Sequence, residues 1–425
     1  MARKQHIQQF LKGSLWSGLS TVARAGSSLV VNKLFAIYYG PSGITLLSHF
    51  QGLIAILTTL PNSGVNVGLI RHLAQEDVGR PRYQSFFWTG LWLSLLSFVA
   101  VLATVLGFPD FFLNRFNLDA LLQGSGWYPL LLVGLFLLLL LYLFGLSVLL
   151  ARQFLRLYVG LVLLVSTATV AIIWMAVGEL PLPAVLCLFL AGQAVGGLAA
   201  AAMVFQKRLV PAWQVKPEKE TLRELGKFIL MGVSTLVGAK FSDFLVREIA
   251  MHRFSLHDTG LWQTVVKVSD NYTLAYTSIL GMVYYPKIAA LLPREEELKK
   301  YVRTIFFTLA PLLAAGLLLV YLLRRFLLVL LFNEDFLPAQ DLFNYQLLGD
   351  LFKMVAWVLS YVVAVRAQVR LYIGVQLVSP LVYFLLVLTL IPLLGIEGLT
   401  VAYAIDWALF LLFHLYLFRS YFFSK

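Results

Sequence analysis

Phe228 to Tyr285 has the sequence FILMGVSTLVGAKFSDFLVREIAMHRFSLHDTGLWQTVVKVSDNYTLAYTSILGMVYY, in which charged residues interrupt long apolar segments. It predicts two membrane-spanning helices that are joined by a short polar turn at 252–260. Charged side chains interrupt both helices, at Lys240, Asp243, Arg247, Glu248, Lys267 and Asp270. A charge in the hydrocarbon of a membrane costs roughly 2.5–3.5 kcal/mol even on the lowest scale. These groups must therefore lie against protein or water.

The spacing of these residues places them on common helix faces. Lys240, Asp243 and Arg247 are three and four residues apart, so they share one face and can neutralise one another. The second helix carries a polar stripe of the same spacing, made of Gln263, Lys267, Asp270, Thr273, Thr277, Gly281 and Tyr284. Two polar stripes on neighbouring helices predict a cavity within the membrane.

The composition is that of a membrane protein. Of the 425 residues, 60% are hydrophobic and 13% are charged, whereas soluble proteins have about 45–50% apolar and about 25% charged residues. Windows of about 20 apolar residues predict an all-α polytopic protein with about twelve transmembrane helices. Their approximate cores are 14–38, 44–70, 83–106, 127–149, 158–177, 183–204, 228–251, 261–285, 302–323, 342–365, 372–394 and 399–418.

Basic residues predict the orientation. One set of loops, together with both termini, carries nearly all Lys and Arg residues outside the spans, and the opposite set has Arg115, Arg253, Arg324 and Arg325. The positive-inside rule places both termini in the cytoplasm. Residues 1–12 lack the apolar segment of a signal peptide. The net charge of +12 is thus first a topology signal, and we expect no nucleic-acid partner.

The chain divides into two groups of six spans. We predict an N-terminal lobe at 1–206, a cytoplasmic linker at 207–226 and a C-terminal lobe at 227–425. The N-terminal lobe has its own Gly-containing turn at 39–43, and a polar stripe follows at Gln51, Ala55, Thr58, Asn62 and Asn66. Six spans per lobe give both lobes the same orientation, which is a parallel repeat about an axis along the membrane normal.

Intramembrane charge differs between the lobes. The first lobe's spans hold Arg24 and Lys33 and no carboxylate. The second lobe sets four cations against five carboxylates, namely Lys240, Arg247, Lys267 and Lys353 against Asp243, Glu248, Asp270, Asp350 and Asp406. Unpaired cations at low dielectric need an anion or water, and a phosphate group would supply that anion. The additional carboxylate of the second lobe could take a proton or a metal cation.

Two alternatives stay open at this point. The close pairs Lys240/Asp243/Arg247, Lys267/Asp270 and Asp350/Lys353 are equally well explained as salt bridges that hold helices together. Arg24 and Lys33 are nine residues apart, so a straight helix with about 100° per residue places them on opposite faces. Either the helix bends near Gly26 or only one of the two cations faces the cavity.

Enzyme and cofactor motifs are absent from the sequence. It has no G-x-x-x-x-G-K-[ST] motif and therefore no ATPase of its own, no H-E-x-x-H motif, and no Cys/His cluster that could hold zinc. The single Cys187 rules out an internal disulfide framework. We expect no cofactor, no metal and no enzymatic activity.

Several short stretches together carry a resemblance to a known family. They are GSLWSGLST at 13–21, NKLFA at 32–36 with GPSG at 40–43, GLWQ at 260–263 with VSD at 268–270, DLF at 341–343 with YQLLGDLFK at 345–353, and Arg366 with RLYI at 370–373. In these stretches, their order and their spacing, the chain resembles the Wzx-type lipid-linked oligosaccharide flippases of the multidrug/oligosaccharidyl-lipid/polysaccharide (MOP) exporter superfamily, which serve O-antigen and enterobacterial common antigen synthesis.

The resemblance implies two six-helix lobes around a central cavity in the bacterial inner membrane. It implies a flippase that moves an undecaprenyl pyrophosphate-linked oligosaccharide from the cytoplasmic to the periplasmic leaflet, driven by an ion gradient, with a polysaccharide polymerase and a chain-length regulator as partners. We expect the pyrophosphate at Arg24, Lys33 and Arg71. The sugars are expected at Gln51, Asn62, Asn66, Gln263, Lys267 and Asp270. Candidate ion-coupling residues are Asp270, Asp350 and Asp243.

Two other functions compete with the flippase. A multidrug/cation antiporter of the same superfamily would need a carboxylate to exchange a cationic drug, and the first lobe has none in its spans. A membrane enzyme such as a polysaccharide polymerase or an O-antigen ligase would carry a large periplasmic loop with catalytic groups. The longest loop on that side, at 107–126, has only about twenty residues.

Overall fold

A computed structural model describes residues 2–62, 64–116, 128–213, 218–236, 242–366 and 368–422. All regular secondary structure in these residues is helical. The predicted all-α class is therefore confirmed. By their internal contacts the residues form two compact units: Met1–Tyr39 with Leu46–Phe241, and Gly40–Thr45 with Ser242–Lys425. The predicted lobe boundaries remain a prediction.

The first unit contains long helices connected by short turns. They are α1 (Ala2–Ile54), a π-helical turn (Ala55–Thr59), α2 (Leu60–Asn62), α3 (Val65–Leu73), α4 (Pro81–Gly107), α5 (Pro109–Phe112), a 3-10 turn (Asn114–Phe116), α6 (Tyr128–Ala151), α7 (Leu155–Ala176), α8 (Leu182–Gln206) and α9 (Lys219–Leu236). Proline at the first turn of α4 and α8 suits the start of a helix, where its missing N–H leaves no hydrogen bond unmade.

The second unit has a similar make-up. Its helices are α10 (Ser242–Arg253), α11 (Leu256–Ile279), a π-helical turn (Leu280–Tyr284), α12 (Tyr285–Leu291), α13 (Glu295–Leu331), a 3-10 helix (Glu334–Leu342), α14 (Phe343–Val365), α15 (Val369–Leu394), α16 (Glu397–Leu417) and α17 (Arg419–Phe422). Helix α16 packs on both α14 and α15, while α11 packs on α14 and on the 3-10 helix.

Nine helices in the described residues are long and apolar enough to cross a membrane. They overlap ten of the twelve predicted spans, because Gly18–Thr59 includes most of the first span and the N-terminal part of the second in one continuous stretch. The other two predicted spans, at 228–251 and 261–285, contain several charged residues, which are Lys240, Asp243, Arg247, Glu248, Lys267 and Asp270. Residues 237–241 of the former lie outside the described part. The chain is a multi-pass membrane protein.

Small residues let the helices of the first unit approach closely. A Cβ on Gly192 would lie 2.8 Å from the Thr169 backbone, and one on Gly197 would collide with the carbonyl of Leu138. Lipid supplies no hydrophobic force between helices, so close backbone contact of this kind holds membrane helices together. These glycines join α8 to α6 and α7.

The described part of the predicted linker packs on the first unit. The Tyr83 hydroxyl donates to the Leu209 carbonyl at 3.0 Å, and the Trp88 indole N–H donates to the Ala212 carbonyl at 2.8 Å. Helix α9 follows this segment and packs along α3. Residues 207–213 and 218–226 thus pack as part of this unit.

Both predicted turns are shorter than the sequence indicated. At 39–43 the chain stays helical apart from one kink at Gly40, whose φ of 59° and ψ of −160° suit glycine. At 252–260 the break spans only Phe254 and Ser255, because α10 runs to Arg253 and α11 starts at Leu256. The Ser255 hydroxyl accepts the Asp258 N–H at 3.0 Å and caps α11.

These two turns meet in the second unit. Thr45 donates its hydroxyl to the Leu256 carbonyl at 2.6 Å. A Cβ on Gly260 would overlap the carbonyl oxygen of Pro41. Gly260 is therefore needed for the close approach of two backbones and not for its flexibility.

Replacing Gly260 by alanine is expected to destabilise the protein by about 1–3 kcal/mol, because backbone atoms cannot move aside as a side chain would. Gly281→Ala is the matched control, since a Cβ there meets nothing within 4 Å. Thermal unfolding of the purified variants in detergent measures the difference. Equal unfolding midpoints for the two alanine variants would contradict the close contact.

Candidate functional site

Arg24 is an intramembrane cation of the first unit whose side chain contacts tyrosine residues. Its guanidinium donates to the Tyr158 hydroxyl at 3.0 Å, and its Cζ lies 5.9 Å from the centre of that ring. It also hydrogen-bonds Tyr142, which is otherwise buried. In the described residues no carboxylate lies within 4.0 Å of Arg24, and its side chain is exposed. Two neutral hydroxyls thus position a charge that nothing in the described residues neutralises.

Lys33 lies on the same helix and projects from another face. Gly40 is the single residue of α1 with non-helical backbone angles. The helix is therefore regular from Arg24 to Lys33, so the alternative of a bend near Gly26 is not the one observed. That only one of the two cations faces a cavity stays a prediction. Lys33 is half-buried. Nine residues in a regular helix place the two side chains on opposite sides.

The remaining predicted site residues of the first unit differ in exposure. Gln51 is half-buried, and Arg71 is exposed in the last turn of α3. Asn66 is half-buried, and its Oδ1 is enclosed without a hydrogen-bond partner among the described residues. Their assignment to pyrophosphate or sugar binding stays a prediction.

Asn62 connects helices inside the first unit. Its amide Nδ2 donates to the Thr58 carbonyl at 3.1 Å and to the Leu140 carbonyl at 3.5 Å, and Ser94 donates to its Oδ1 at 3.2 Å. The side chain is 1% exposed. These contacts explain why a polar residue lies here, while the predicted sugar contact of Asn62 stays a prediction.

A first charged group in the second unit lies on α10 and α11. Arg247 interacts electrostatically with Asp243 and Asp270, and Lys267 interacts with Arg247 and Asp270. Asp243 and Arg247 lie one turn apart on α10, so their attraction acts within one helix, whereas that of Arg247 with Asp270 acts between α10 and α11. The predicted salt bridges that hold helices together stay a prediction for this group. Lys240, the third member predicted for it, lies outside the described residues. Asp270 is exposed, so this group has an open side.

Asp350 on α14 is the centre of a second, fully buried group. It is 0% exposed and receives hydrogen bonds from Tyr272, from Ser269 at 2.7 and 2.8 Å, and from Tyr403 at 2.8 Å. Lys353 lies 3.8 Å from its Oδ1. Both oxygens of the buried Asp350 carboxyl group thus have hydrogen-bond donors from neighbouring helices.

The ammonium group of Lys353 is held by aromatic rings. It donates to the Tyr403 hydroxyl at 3.0 Å and lies 5.2 Å and 5.8 Å from the ring centres of Trp357 and Trp407. Cation–π contacts of this kind are strongest where water is excluded. Asp350 and Lys353 therefore form one network with Tyr403 between them, as the salt-bridge alternative predicted.

Sequence reasoning missed the hydroxyl groups that complete these sites. Tyr142 and Tyr158 orient Arg24, while Ser269, Tyr272 and Tyr403 surround Asp350. A signal for two of them was present, since Ser269 and Tyr272 are three residues apart on α11 and therefore share a face. The partner helices cannot be identified from spacing alone.

Gln263 on α11 is 2% exposed, and its Nε2 has no hydrogen-bond partner among the described residues. A buried amide without a partner costs free energy. Its predicted contact with sugar stays a prediction.

Comparison with known proteins agrees with this architecture. The chain is 28% identical over 429 residues to proteins named lipid III flippase from Escherichia coli (strain K12) and from Shigella flexneri, with 92% of this chain and 94% of each relative covered. No family model matches the chain. The predicted resemblance to the Wzx-type flippases is confirmed.

Solved structures show the same fold at low sequence identity. An inward-facing MATE-family transporter of the MOP superfamily superposes with a TM-score of 0.72 at 14% identity, covering 95% of both chains. The lipid II flippase MurJ in an inward closed conformation gives a TM-score of 0.68 at 14% identity, covering 96% of this chain and 87% of that one. The fold is that of the MOP exporters.

Proposed function

We propose that this chain, which has the MOP exporter fold and resembles the Wzx-type flippases, is a flippase of the bacterial inner membrane. It translocates undecaprenyl pyrophosphate-linked oligosaccharide repeat units from the cytoplasmic to the periplasmic leaflet by alternating access, coupled to an ion gradient. The names of its relatives, lipid III flippase, and of one structural neighbour, the lipid II flippase, support a lipid-linked oligosaccharide as the substrate.

Arg24 is the observation that carries the proposal. An exposed guanidinium that two tyrosine hydroxyls orient, and that no described carboxylate neutralises, is suited to an anionic ligand. Arginine binds a phosphate through two parallel N–H donors. In the proposed function Arg24 binds the pyrophosphate, with Lys33 and Arg71 as further cations.

The other predicted residues take roles by their chemistry. Amide and charged groups can hydrogen-bond sugar hydroxyls. The residues proposed for this are Gln51, Asn62 and Asn66 in the first unit and Gln263, Lys267 and Asp270 in the second. Ion coupling is assigned to Asp270, Asp350 and Asp243. The polymerase and the chain-length regulator, which would use the translocated product, remain part of the proposal.

Genetic complementation tests the function. A strain that lacks its own lipid-linked oligosaccharide flippase is expected to regain surface polymer when it expresses this chain, with protein level checked in the membrane fraction. Failure at a normal membrane level would contradict the proposal. Restored drug resistance in an efflux-deficient strain, without restored polymer, would support the cation antiporter instead.

The direction of transport depends on the topology. The chain has one cysteine, Cys187, so a Cys187→Ala background allows single-cysteine labelling. We expect a membrane-impermeant maleimide to label cysteines at Ser42 and Glu397 from outside intact cells, and cysteines at Lys219 and Glu296 only after the membrane is opened. Labelling at Lys219 from outside would invert the topology and the proposed direction.

A further inference from the structure

Asp406 on α16 is a buried carboxyl group that neither charged group described above includes. It is 5% exposed. Ser379 on α15 donates to it, with its Oγ 2.9 Å and 3.2 Å from the two carboxyl oxygens. A hydroxyl has one proton, so it satisfies one oxygen at a time. No cation lies within 4.0 Å of Asp406 among the described residues.

Asp350 provides the contrast within the same unit. It has three hydroxyl donors and an ammonium group nearby, whereas Asp406 has one hydroxyl. An isolated ionised carboxylate in an apolar environment is so costly that the group becomes neutral instead. The surroundings of Asp350 stabilise a charge, and the surroundings of Asp406 stabilise an uncharged acid.

The charge balance of the second lobe leads to the same residue. Its spans contain five carboxylates and four cations. Asp350 is near Lys353, Asp243 and Asp270 interact with Arg247, and Glu248 lies 3.1 Å from His252. The carboxylate without a basic partner in the described residues is Asp406.

The charged groups around Asp406 come from several helices. Tyr383 on α15 interacts electrostatically with Asp406 and also with Asp243 and Arg247 on α10. The charged groups on α14 are Asp350 and Lys353, which lie 3.8 Å apart. The titratable groups on α16 itself are Tyr403 and His414. Tyr403 donates to Asp350, and His414, eight residues after Asp406, contacts the Phe410 carbonyl at 2.9 Å.

A proline interrupts the backbone hydrogen bonds of α15 beside the contact of Ser379 with Asp406. Pro380, next to Ser379, has no N–H, so one i to i−4 hydrogen bond of the helix is missing. The Pro380 carbonyl also accepts the Ser242 hydroxyl at 3.3 Å, which joins α15 to α10. A change of charge at Asp406 therefore acts beside Pro380, one of the two prolines of α15, and prolines are places where a helix can bend.

We propose that Asp406 is a further proton-binding site, in addition to the ion-coupling residues Asp243, Asp270 and Asp350 proposed above, and that its proton moves during the transport cycle. The carboxylate takes up one proton from water to form the neutral acid, and it releases that proton when the site opens to water on the other side. No other bond is made or broken. The coupling role rests on the proposed function, whereas the proton site itself does not.

Infrared difference spectroscopy of the purified full-length protein tests the site without any substrate. The wild type is expected to show the carbonyl band of a neutral carboxylic acid near neutral pH, and Asp406→Asn is expected to lack it. Asp341→Asn removes an exposed carboxylate and is expected to leave the band unchanged. Ser379→Ala removes the donor that favours the ionised form, so the band should persist to higher pH. Identical spectra for the wild type and Asp406→Asn would overturn the proposal.

A second measurement tests the coupling. Proteoliposomes with an internal pH-sensitive dye are exposed to undecaprenyl pyrophosphate as the probe. The wild type is expected to move protons when the probe is added, and Asp406→Asn is expected not to do so while still binding the probe. Proton movement by Asp406→Asn at the wild-type rate would overturn the coupling role. If the neutral-acid band is present but the wild type fails to complement a flippase-null strain, the proton site stands and the proposed function fails.

Discussion

Arg24→Ala is expected to lose most transport, by about 10- to 100-fold, while membrane insertion remains normal. Hydrogen bonds to a charged group contribute about 1.5–3 kcal/mol, and each 1.4 kcal/mol is about a factor of ten. The measurement is complementation of a flippase-null strain, with the variant quantified in the membrane fraction. The effect should fall on transport and not on folding, because Arg24 is exposed and has no buried ion partner in the described residues.

Conservative changes separate charge from geometry at this site. Arg24→Lys is expected to retain part of the transport, since it keeps the charge and loses the two parallel donors. Tyr158→Phe removes the hydroxyl that accepts from Arg24 at 3.0 Å and should weaken transport less than Arg24→Ala. Arg325→Ala is the matched control, because it removes an exposed arginine of the second unit. Full complementation by the Arg24→Ala, Lys33→Ala double variant would exclude these cations as the pyrophosphate site.

Asp350→Ala is expected to lower the yield of folded protein sharply. Removal of one member of a buried ion pair costs about 3–5 kcal/mol, because the partner stays buried without its counter-charge. Here the stranded group is the ammonium of Lys353, which is 8% exposed. Detergent extraction followed by size-exclusion chromatography and thermal unfolding measures the loss.

The paired and control variants make this result interpretable. Asp350→Asn with Lys353→Met is expected to fold better than either single variant, since both charges are removed together. Glu296→Ala breaks a shorter contact, 2.8 Å to Lys299, but Glu296 is 84% exposed, and exposed pairs contribute about 0–1 kcal/mol. If Asp350→Asn folds normally and transport stops, Asp350 acts in ion coupling and not mainly in folding.

The sequence correctly predicted features that depend on residues within a single helix, such as membrane-spanning segments and contacts one turn apart. Apolar segments of about 20 residues identify membrane helices because the backbone must satisfy its own hydrogen bonds in lipid. The helical spacing of Asp350 and Lys353 predicted their contact, and Gly40 marked the kink in α1, whereas Gly260 lies inside α11. The polar run at 252–260 misled the estimate of turn length, because Ser255 caps a helix that already contains Asp258 and Thr259.

Composition and residue spacing predicted a multi-helix membrane protein whose first lobe has intramembrane cations without carboxylates and whose second lobe has five carboxylates against four cations. Which of these groups meet depends on how the helices pack. Tyr158 lies 134 residues from Arg24 in the sequence, and Tyr403 lies 53 residues from Asp350. Each pair therefore meets only because two separate helices pack together. Helix periodicity describes one helix at a time, whereas the state of a buried charge depends on every donor that neighbouring helices supply. Asp350 and Asp406 are the same residue type in similar apolar segments, but packed neighbours give Asp350 three hydroxyl donors and a nearby ammonium group and give Asp406 one hydroxyl.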